Sequence, residues 1–299
     1  MKAKTPFIFL LLFLLMLPIS LHSELPADSV TLLMKTNESY KIPGQQLVAL
    51  SEKMLYKKTP QTDLYIYILR PTQPSKKHLP AIIYFHGGGW SGGEAKSQIP
   101  TAAWFRDKGI VAITVEYRVK GRSGTSPLAC IEDAKSAVRF IRENAKKLGV
   151  NSNKLIVAGG SAGGHLALST LLDGGDATGE NLKISTKPNA LVLHNPVTGV
   201  GFGASFFAEH PEFSPILHIQ KGWPPTILSN GTDDKTTPYS GAMEFTQKMK
   251  DMGNTCELIT VKGADHSCDW PITNPNFLPT LTRMTEFLIE QKFIEKSKR

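Results

Sequence analysis

The stretch Leu155-Ile156-Val157-Ala158-Gly159-Gly160-Ser161-Ala162-Gly163-Gly164-His165-Leu166-Ala167-Leu168 decides how the rest of the chain is read. Its apolar start predicts a buried strand, its end predicts a helix, and the G-x-S-x-G sequence at 159–163 is the turn between them. A serine on such a strained strand-to-helix turn holds its hydroxyl clear of both elements, and glycines beside it let the backbones approach closely. In a Gly/Ser-rich loop the same five residues would be an ordinary tight turn. The flanking strand and helix are what make Ser161 a candidate nucleophile.

Working outward, the other groups that a serine nucleophile needs stand at the ends of other predicted strands. Thr226 to Ser229 runs into Asn230-Gly231-Thr232-Asp233-Asp234, and Glu257 to Val261 runs into Gly263-Ala264-Asp265-His266. The chain order is therefore serine, acid, histidine. A serine hydroxyl is a poor nucleophile near neutral pH, so His266 is expected to take its proton during attack on an acyl carbon and return it to the leaving alcohol. One of the two aspartates would hold the imidazole in the productive tautomer. Upstream, the buried strand Pro80 to Phe85 ends in His86-Gly87-Gly88-Gly89-Trp90. Its unshielded amides suit an oxygen anion, so Gly87 and Gly88, with the amide of Ala162, form the expected oxyanion hole. This chemistry requires neither a metal nor another cofactor.

The remaining pattern alternates strand and helix. Ile110 to Val115 and Ala190 to Leu193 read as buried strands. Residues 99–108, 240–252 and 278–293 read as helices, and Ser126-Pro127 opens a long one running to Leu148. Alternation of this kind implies a mainly parallel sheet covered on both faces, with its site beyond the carboxyl ends of the strands. Asp63 to Leu69 alternates apolar with other residues, which predicts a half-exposed antiparallel start to the sheet. Residues 24–50 read as an arm. Residues 197–223 read as a small irregular insertion over the strand ends, where substrate contacts are expected.

Met1-Lys2-Ala3-Lys4 followed by the apolar run from Phe7 to Leu17 reads as a secretory signal, with cleavage expected after Ser23. The run falls short of the roughly 20 apolar residues of a spanning helix. The domain would then be residues 24–299, one unit large enough for a full core. The formal charge of +8 would become +6 with the loss of Lys2 and Lys4. Its basic residues do not cluster on one motif, so a nucleic-acid partner is not expected. Export permits a disulfide, for which Cys256 with Cys268 is the nearest pair, but free, partly buried thiols are an equal alternative, and three cysteines leave at least one thiol free in either case. The glycosylation patterns at Asn37 and Asn230 read as accidental.

With HGGGW at 86–90, GGSAGG at 159–164, GTDD at 231–234 and ADH at 264–266, the chain from about Asp63 to Phe293 resembles the α/β-hydrolase superfamily, in its HGGG-bearing esterase and lipase branch. The resemblance implies the α/β-hydrolase fold and a serine carboxylic ester hydrolase working through an acyl-enzyme on short-chain, acetyl-type esters, including those of carbohydrates. It also places the acid at G-x-x-D before x-x-x-P. Asp234, with Gly231 and Pro238, fits that pattern and is preferred over Asp233. After the histidine, relatives continue Gly-Phe, whereas here Ser267-Cys268-Asp269-Trp270 follows, so the alcohol-side pocket is expected to differ.

Trp90, Trp223 and Trp270 are candidates for stacking on a sugar ring, with core or rim packing as the alternative for each. His165 reads as a structural hydrogen-bonding residue, His86 as a brace of the glycine loop, and His194, His210 and His218 as surface or satisfied polar groups. The expected partner is a small-molecule or saccharide ester, with no stable membrane insertion after the signal is removed and with a secreted or periplasmic location. The rival activities are a feruloyl or aryl esterase and a serine peptidase. A peptidase of this kind usually carries a large gating domain, for which the chain has no space. An inactive binding module is the rival from outside enzymology, and such modules typically lack the serine or histidine that this chain retains.

Overall fold

The computed structural model describes residues 38–42, 44–72 and 78–295, so the expected signal segment, most of the arm and the Asn37 pattern lie outside the described residues. Eight strands form one sheet: β1 (Glu52–Lys58), β2 (Asp63–Leu69), β3 (Leu79–Phe85), β4 (Val111–Val115), β5 (Val150–Gly160), β6 (Ala190–His194), β7 (Thr226–Gly231) and β8 (Cys256–Val261). Their order is β1-β2-β4-β3-β5-β6-β7-β8. β1 and β2 pair antiparallel with each other, β2 pairs antiparallel with β4, and every later pairing is parallel. Runs such as Ala-Ile-Ile-Tyr-Phe in β3 and Val-Ala-Ile-Thr-Val in β4 contain little that needs water, as expected of strands covered on both sides.

Five longer helices do the covering: α1 (Ile99–Arg106), α2 (Pro127–Glu143), α3 (Ala162–Ser169), α4 (Tyr239–Asp251) and α5 (Phe277–Glu290). Ile131, Ala134 and Val138 of α2, Leu166 of α3 and Phe245 of α4 belong to the core on one face of the sheet. Ala102 and Phe105 of α1 with Leu281 and Met284 of α5 belong to the core on the other.

The structure departs from the sequence expectations in several places. β2 is not half-exposed: Ile66 and Ile68 enter one core, and Tyr67 and Leu69 enter the other. Tyr67 satisfies its hydroxyl by donating to Glu116 Oε1 at 2.6 Å, so an aromatic residue that looked amphipathic can be buried. The long helix is interrupted at Asn144, whose side chain donates to the Phe140 carbonyl at 2.8 Å, and a short second helix covers Ala145–Leu148. The arm contains a short helix, Gly44–Ala49, which buries Leu47. Of the two readings open for the cysteines, the structure has the free thiols: all three are buried and unpaired, and the Cys256–Cys268 disulfide is not made. In agreement with the expectation that its glycosylation pattern is accidental, Asn230 is fully buried and donates to the carbonyls of Gly231 and Thr237, which leaves no access for a glycan.

Candidate active site

β5 delivers Ser161 to α3 through a turn in which the serine adopts φ 54° and ψ −122°, a conformation that L-residues rarely tolerate. The surrounding chain holds it there. The Ser161 amide donates to the His194 carbonyl at 2.9 Å, and the Ser161 carbonyl accepts from Val197 and His165 at 3.1 Å each. The turn packs tightly against β3: a Cβ on Gly163 would strike the Phe85 carbonyl oxygen and stand 2.5 Å from that of His86. Glycine is needed here because the backbones are in contact.

Three strand ends bring the other groups to this hydroxyl. His266 Nε2 lies 3.0 Å from Ser161 Oγ, and His266 Nδ1 donates to Asp234 Oδ2 at 2.8 Å. With the Nδ1 proton committed to the carboxylate, the Nε2 lone pair faces the serine, the tautomer that a general base requires. Asp234 is only 4% exposed. Its Oδ1 accepts the amides of Thr236 and Thr237 at 2.8 Å each, and its Oδ2 accepts the Thr237 hydroxyl at 2.7 Å. Burial pushes the carboxyl up, but the hydrogen bonds from His266 and Thr237 outweigh it and hold Asp234 below the ordinary aspartate value. Asp233 is exposed and accepts from the neighbouring Thr232 hydroxyl. The choice between the two acids is therefore geometric: Asp234 reaches His266.

The glycine loop after β3 faces the same space. Gly87, Gly88 and Ser161 line one cavity of about 470 Å³. The amides of Gly87 and Gly88 make no loop hydrogen bond among the described residues, and Ala162 is the first residue of α3, where an amide has no partner within its own helix. These three donors can meet an oxyanion formed on a carbonyl attacked by Ser161. His86 braces the loop. Its Nδ1 donates to the Gly87 carbonyl at 2.7 Å, its ring stacks on Tyr117 at 4.1 Å, and the Tyr117 hydroxyl donates to the His86 carbonyl at 2.6 Å. His165 lies fully buried on α3 and donates from Nε2 to the Phe213 carbonyl at 2.9 Å, as expected of a structural residue.

The tryptophan candidates divide. Trp270 lines the cavity. Trp90 does not: it is 5% exposed and packs against His165, Phe202, Phe206 and Phe207 beneath the insertion. Trp223 is also misplaced as a substrate contact. It is 7% exposed and packs on Phe245 of α4, and it does not line the cavity that holds Ser161.

Sequence reading also missed four residues. Asn195 follows β6 with φ 36° and sets its Nδ2 3.1 Å from each ring nitrogen of His266. Thr237 Oγ1 lies 3.1 Å from His266 Nδ1. His194, expected to be a surface or satisfied polar group, lines the cavity and donates from Nδ1 to Asp269 Oδ2 at 2.7 Å. The signal for His194 and Asn195 was their place at the carboxyl end of a central parallel strand. Nothing in the order of residues links His194 to Asp269.

Comparisons with known proteins fit this arrangement. A family model described as BD-FAE matches residues 64–194, and one for the prolyl oligopeptidase family matches residues 185–292. Esterase 2 of Thermogutta terrifontis, solved phosphoramylated by tabun, is 36% identical, with 84% of this chain and 98% of that one covered and a TM-score of 0.79. Its propionate-bound form gives 35% identity, the same coverage and a TM-score of 0.78. A probable isoprenylcysteine alpha-carbonyl methylesterase of Oryza sativa is 24% identical over 72% of this chain and 57% of its own length. The acetylxylan esterase of Xylanibacter ruminicola is 26% identical over 66% of this chain and 42% of its own. The chain thus spans about half the length of these two relatives.

Proposed function

Because the chain belongs to the α/β-hydrolase family of esterases, we propose that it is a serine carboxylic ester hydrolase acting through an acyl-enzyme. The observation that carries this reading is the unbroken line Ser161 Oγ, His266 Nε2, His266 Nδ1, Asp234 Oδ2, with steps of 3.0 and 2.8 Å around the ring, opening into one cavity with Gly87 and Gly88. Ser161 attacks the ester carbonyl while His266 takes its proton, and the oxyanion is held by the amides of Gly87, Gly88 and Ala162. His266 then protonates the departing alcohol, leaving an acyl group on Ser161. Water then attacks the acyl carbon while His266 takes its proton, the bond from Ser161 Oγ to the acyl carbon breaks as His266 returns that proton to the serine, and the acid departs. Each oxyanion donor contributes about 2.7–4 kcal/mol in comparable sites.

The proposed substrates are short acyl esters, acetyl above all, including acetyl groups on carbohydrate. Support comes from the propionate-bound relative and the acetylxylan esterase relative, and from a cavity of about 470 Å³ whose wall includes Trp270. We infer export from the basic start and the apolar run at 7–17. A protein recovered from cells whose amino terminus is still Met1 would count against that.

Release of nitrophenol from 4-nitrophenyl acetate tests the activity. The purified protein should hydrolyse the ester, and Ser161→Ala should lower the rate by about 10⁶-fold. Asp234→Asn should lower it by about 10⁴-fold, whereas the exposed Asp233→Asn should stay within about twofold. A Ser161→Ala protein with an undiminished rate rejects the mechanism. Comparison of acetylated xylan, methyl ferulate and longer acyl esters tests the substrate class, and a clear preference for ferulate rejects the acetyl reading.

A further inference from the structure

One histidine–carboxylate pair in the cavity has no part in the reaction just described. His194 ends β6 and turns its ring to the same side of the sheet as Val192, toward α1 and α5. There it lines the cavity with Gln98, Thr101, Trp270 and Phe277, and its ring makes no hydrogen bond to Ser161 among the described residues. It is therefore not a second general base for the serine.

What fixes it is costly. Asp269 is 4% exposed, and its Oδ2 accepts both His194 Nδ1 at 2.7 Å and the fully buried Ser229 hydroxyl at 2.6 Å. Burial opposes ionisation, but His194, Ser229 and Cys268 together outweigh it and hold the carboxyl below its ordinary value. A buried carboxylate behind an imidazole is an expensive way to fill a wall that a leucine could fill. With Nδ1 committed to Asp269, Nε2 is the ring nitrogen left to meet a further partner. Among the described residues its hydrogen-bond neighbour is the Tyr84 hydroxyl at 3.5 Å, a contact at the far limit of a hydrogen bond that a better donor can displace. The same cavity is lined by the aromatic Trp270 and Phe277 and by the polar Gln98 and Thr101.

We propose that His194, oriented by Asp269, is a specificity-determining residue that accepts a hydrogen bond from a hydroxyl group on the ester substrate, carried on either its acyl or its alcohol portion. This rests on the ester hydrolysis proposed above and extends it: the cavity reads a hydroxylated group lying against an apolar wall. A polar wall group left without its partner penalises the plain analogue, which is how such sites discriminate.

The test uses matched esters. Phenyl acetate against the three hydroxyphenyl acetates examines the alcohol portion, and methyl cinnamate against its ring-hydroxylated counterparts examines the acyl portion. The quantity read is the ratio of kcat/KM for each hydroxylated ester to that for its plain partner, divided by the same ratio in His194→Leu, so that intrinsic reactivity cancels. At least one pair should give a quotient of about ten or more. His194→Gln, which keeps an acceptor, should retain part of the preference. Asp269→Asn should lose much of it. Quotients near one for every pair in all three variants overturn the inference while leaving the esterase reading in place. A wild-type protein that cleaves no ester at all overturns both. If His194→Leu fails to fold, Asp269→Asn serves as the denominator: a quotient of several-fold or more for at least one pair supports the inference, and quotients near one for every pair overturn it.

Discussion

His86 and His165 are each held uncharged by their surroundings. Burial pushes both imidazoles down to about 4, against weaker opposition from the carbonyls of Gly87 and Phe213 that accept their N–H groups. In the unfolded chain each takes up a proton near pH 6.5, but in the folded chain only near pH 4. Between those values the unfolded chain binds more protons, so stability rises with pH. It is complete above about 6.5 and is lost as pH falls toward 4. By pH 5 each histidine withdraws about 2 kcal/mol. The lowered carboxyls of Asp234 and Asp269 act in the same direction, but only below their ordinary 3.8, so the upper window belongs to the histidines. Tm measured from pH 7 to pH 4.5 should fall steadily, and His165→Gln should flatten the fall by about half. A Tm that stays level across that range would mean that both rings are accessible to protons in the native state.

The nucleophile turn shows how one element is specified by contact. Gly163→Ala would drive a methyl group into the carbonyls of Phe85 and His86, both of them backbone atoms that no rotamer change can move aside. It should cost about 3 kcal/mol and displace Ser161, lowering kcat as well as stability. Gly92→Ala, in the neighbouring loop with nothing within 4 Å of the new Cβ, should stay within about 0.5 kcal/mol. Equal denaturation midpoints for the two variants would contradict this. The turn was legible from sequence because its chemistry is local: strand, serine between glycines, and helix all fall within residues 155–168. The same holds for the acid and histidine at the ends of β7 and β8. The lateral partners were not legible. Asn195 over His266 and Asp269 behind His194 arise only when β6 is set between β5 and β7, and Trp90 and Trp223 look like any exposed aromatic until the insertion and α4 close over them. Alternation in β2 misled because a tyrosine hydroxyl can be buried once Glu116 accepts its proton.

At the scale of the molecule, the antiparallel end of the sheet needs a fastening that the parallel strands obtain from their crossover helices. β1 is the edge strand and pairs with β2 alone. The fastening is Asp133, a fully buried carboxylate on α2. Its Oδ2 accepts the Arg118 amide at 2.9 Å and Arg118 Nε at 2.8 Å, and its Oδ1 accepts Arg118 Nη2 at 2.8 Å and Lys57 Nζ at 2.7 Å. Arg118 also reaches Glu132 at 2.9 Å and, in the β1–β2 connection, Gln61 at 3.3 Å. One side chain thus joins β1, the segment after β4 and α2. Removing it leaves the largely buried Arg118 guanidinium with only the part-exposed Glu132 as counter-charge, and breaking a buried pair typically costs about 3–5 kcal/mol, whereas removing Lys57 leaves Asp133 still paired. Asp133→Ala should therefore lower the free energy of unfolding in urea by about 3–5 kcal/mol, and Lys57→Ala by about 1 kcal/mol. Amide exchange should quicken in β1 and β2 well before it does in β5 to β7, because the parallel strands keep both layers of helices. If Asp133→Ala proves no more damaging than Lys57→Ala, or if exchange quickens uniformly across the sheet, the cluster is not what holds the antiparallel edge to the domain.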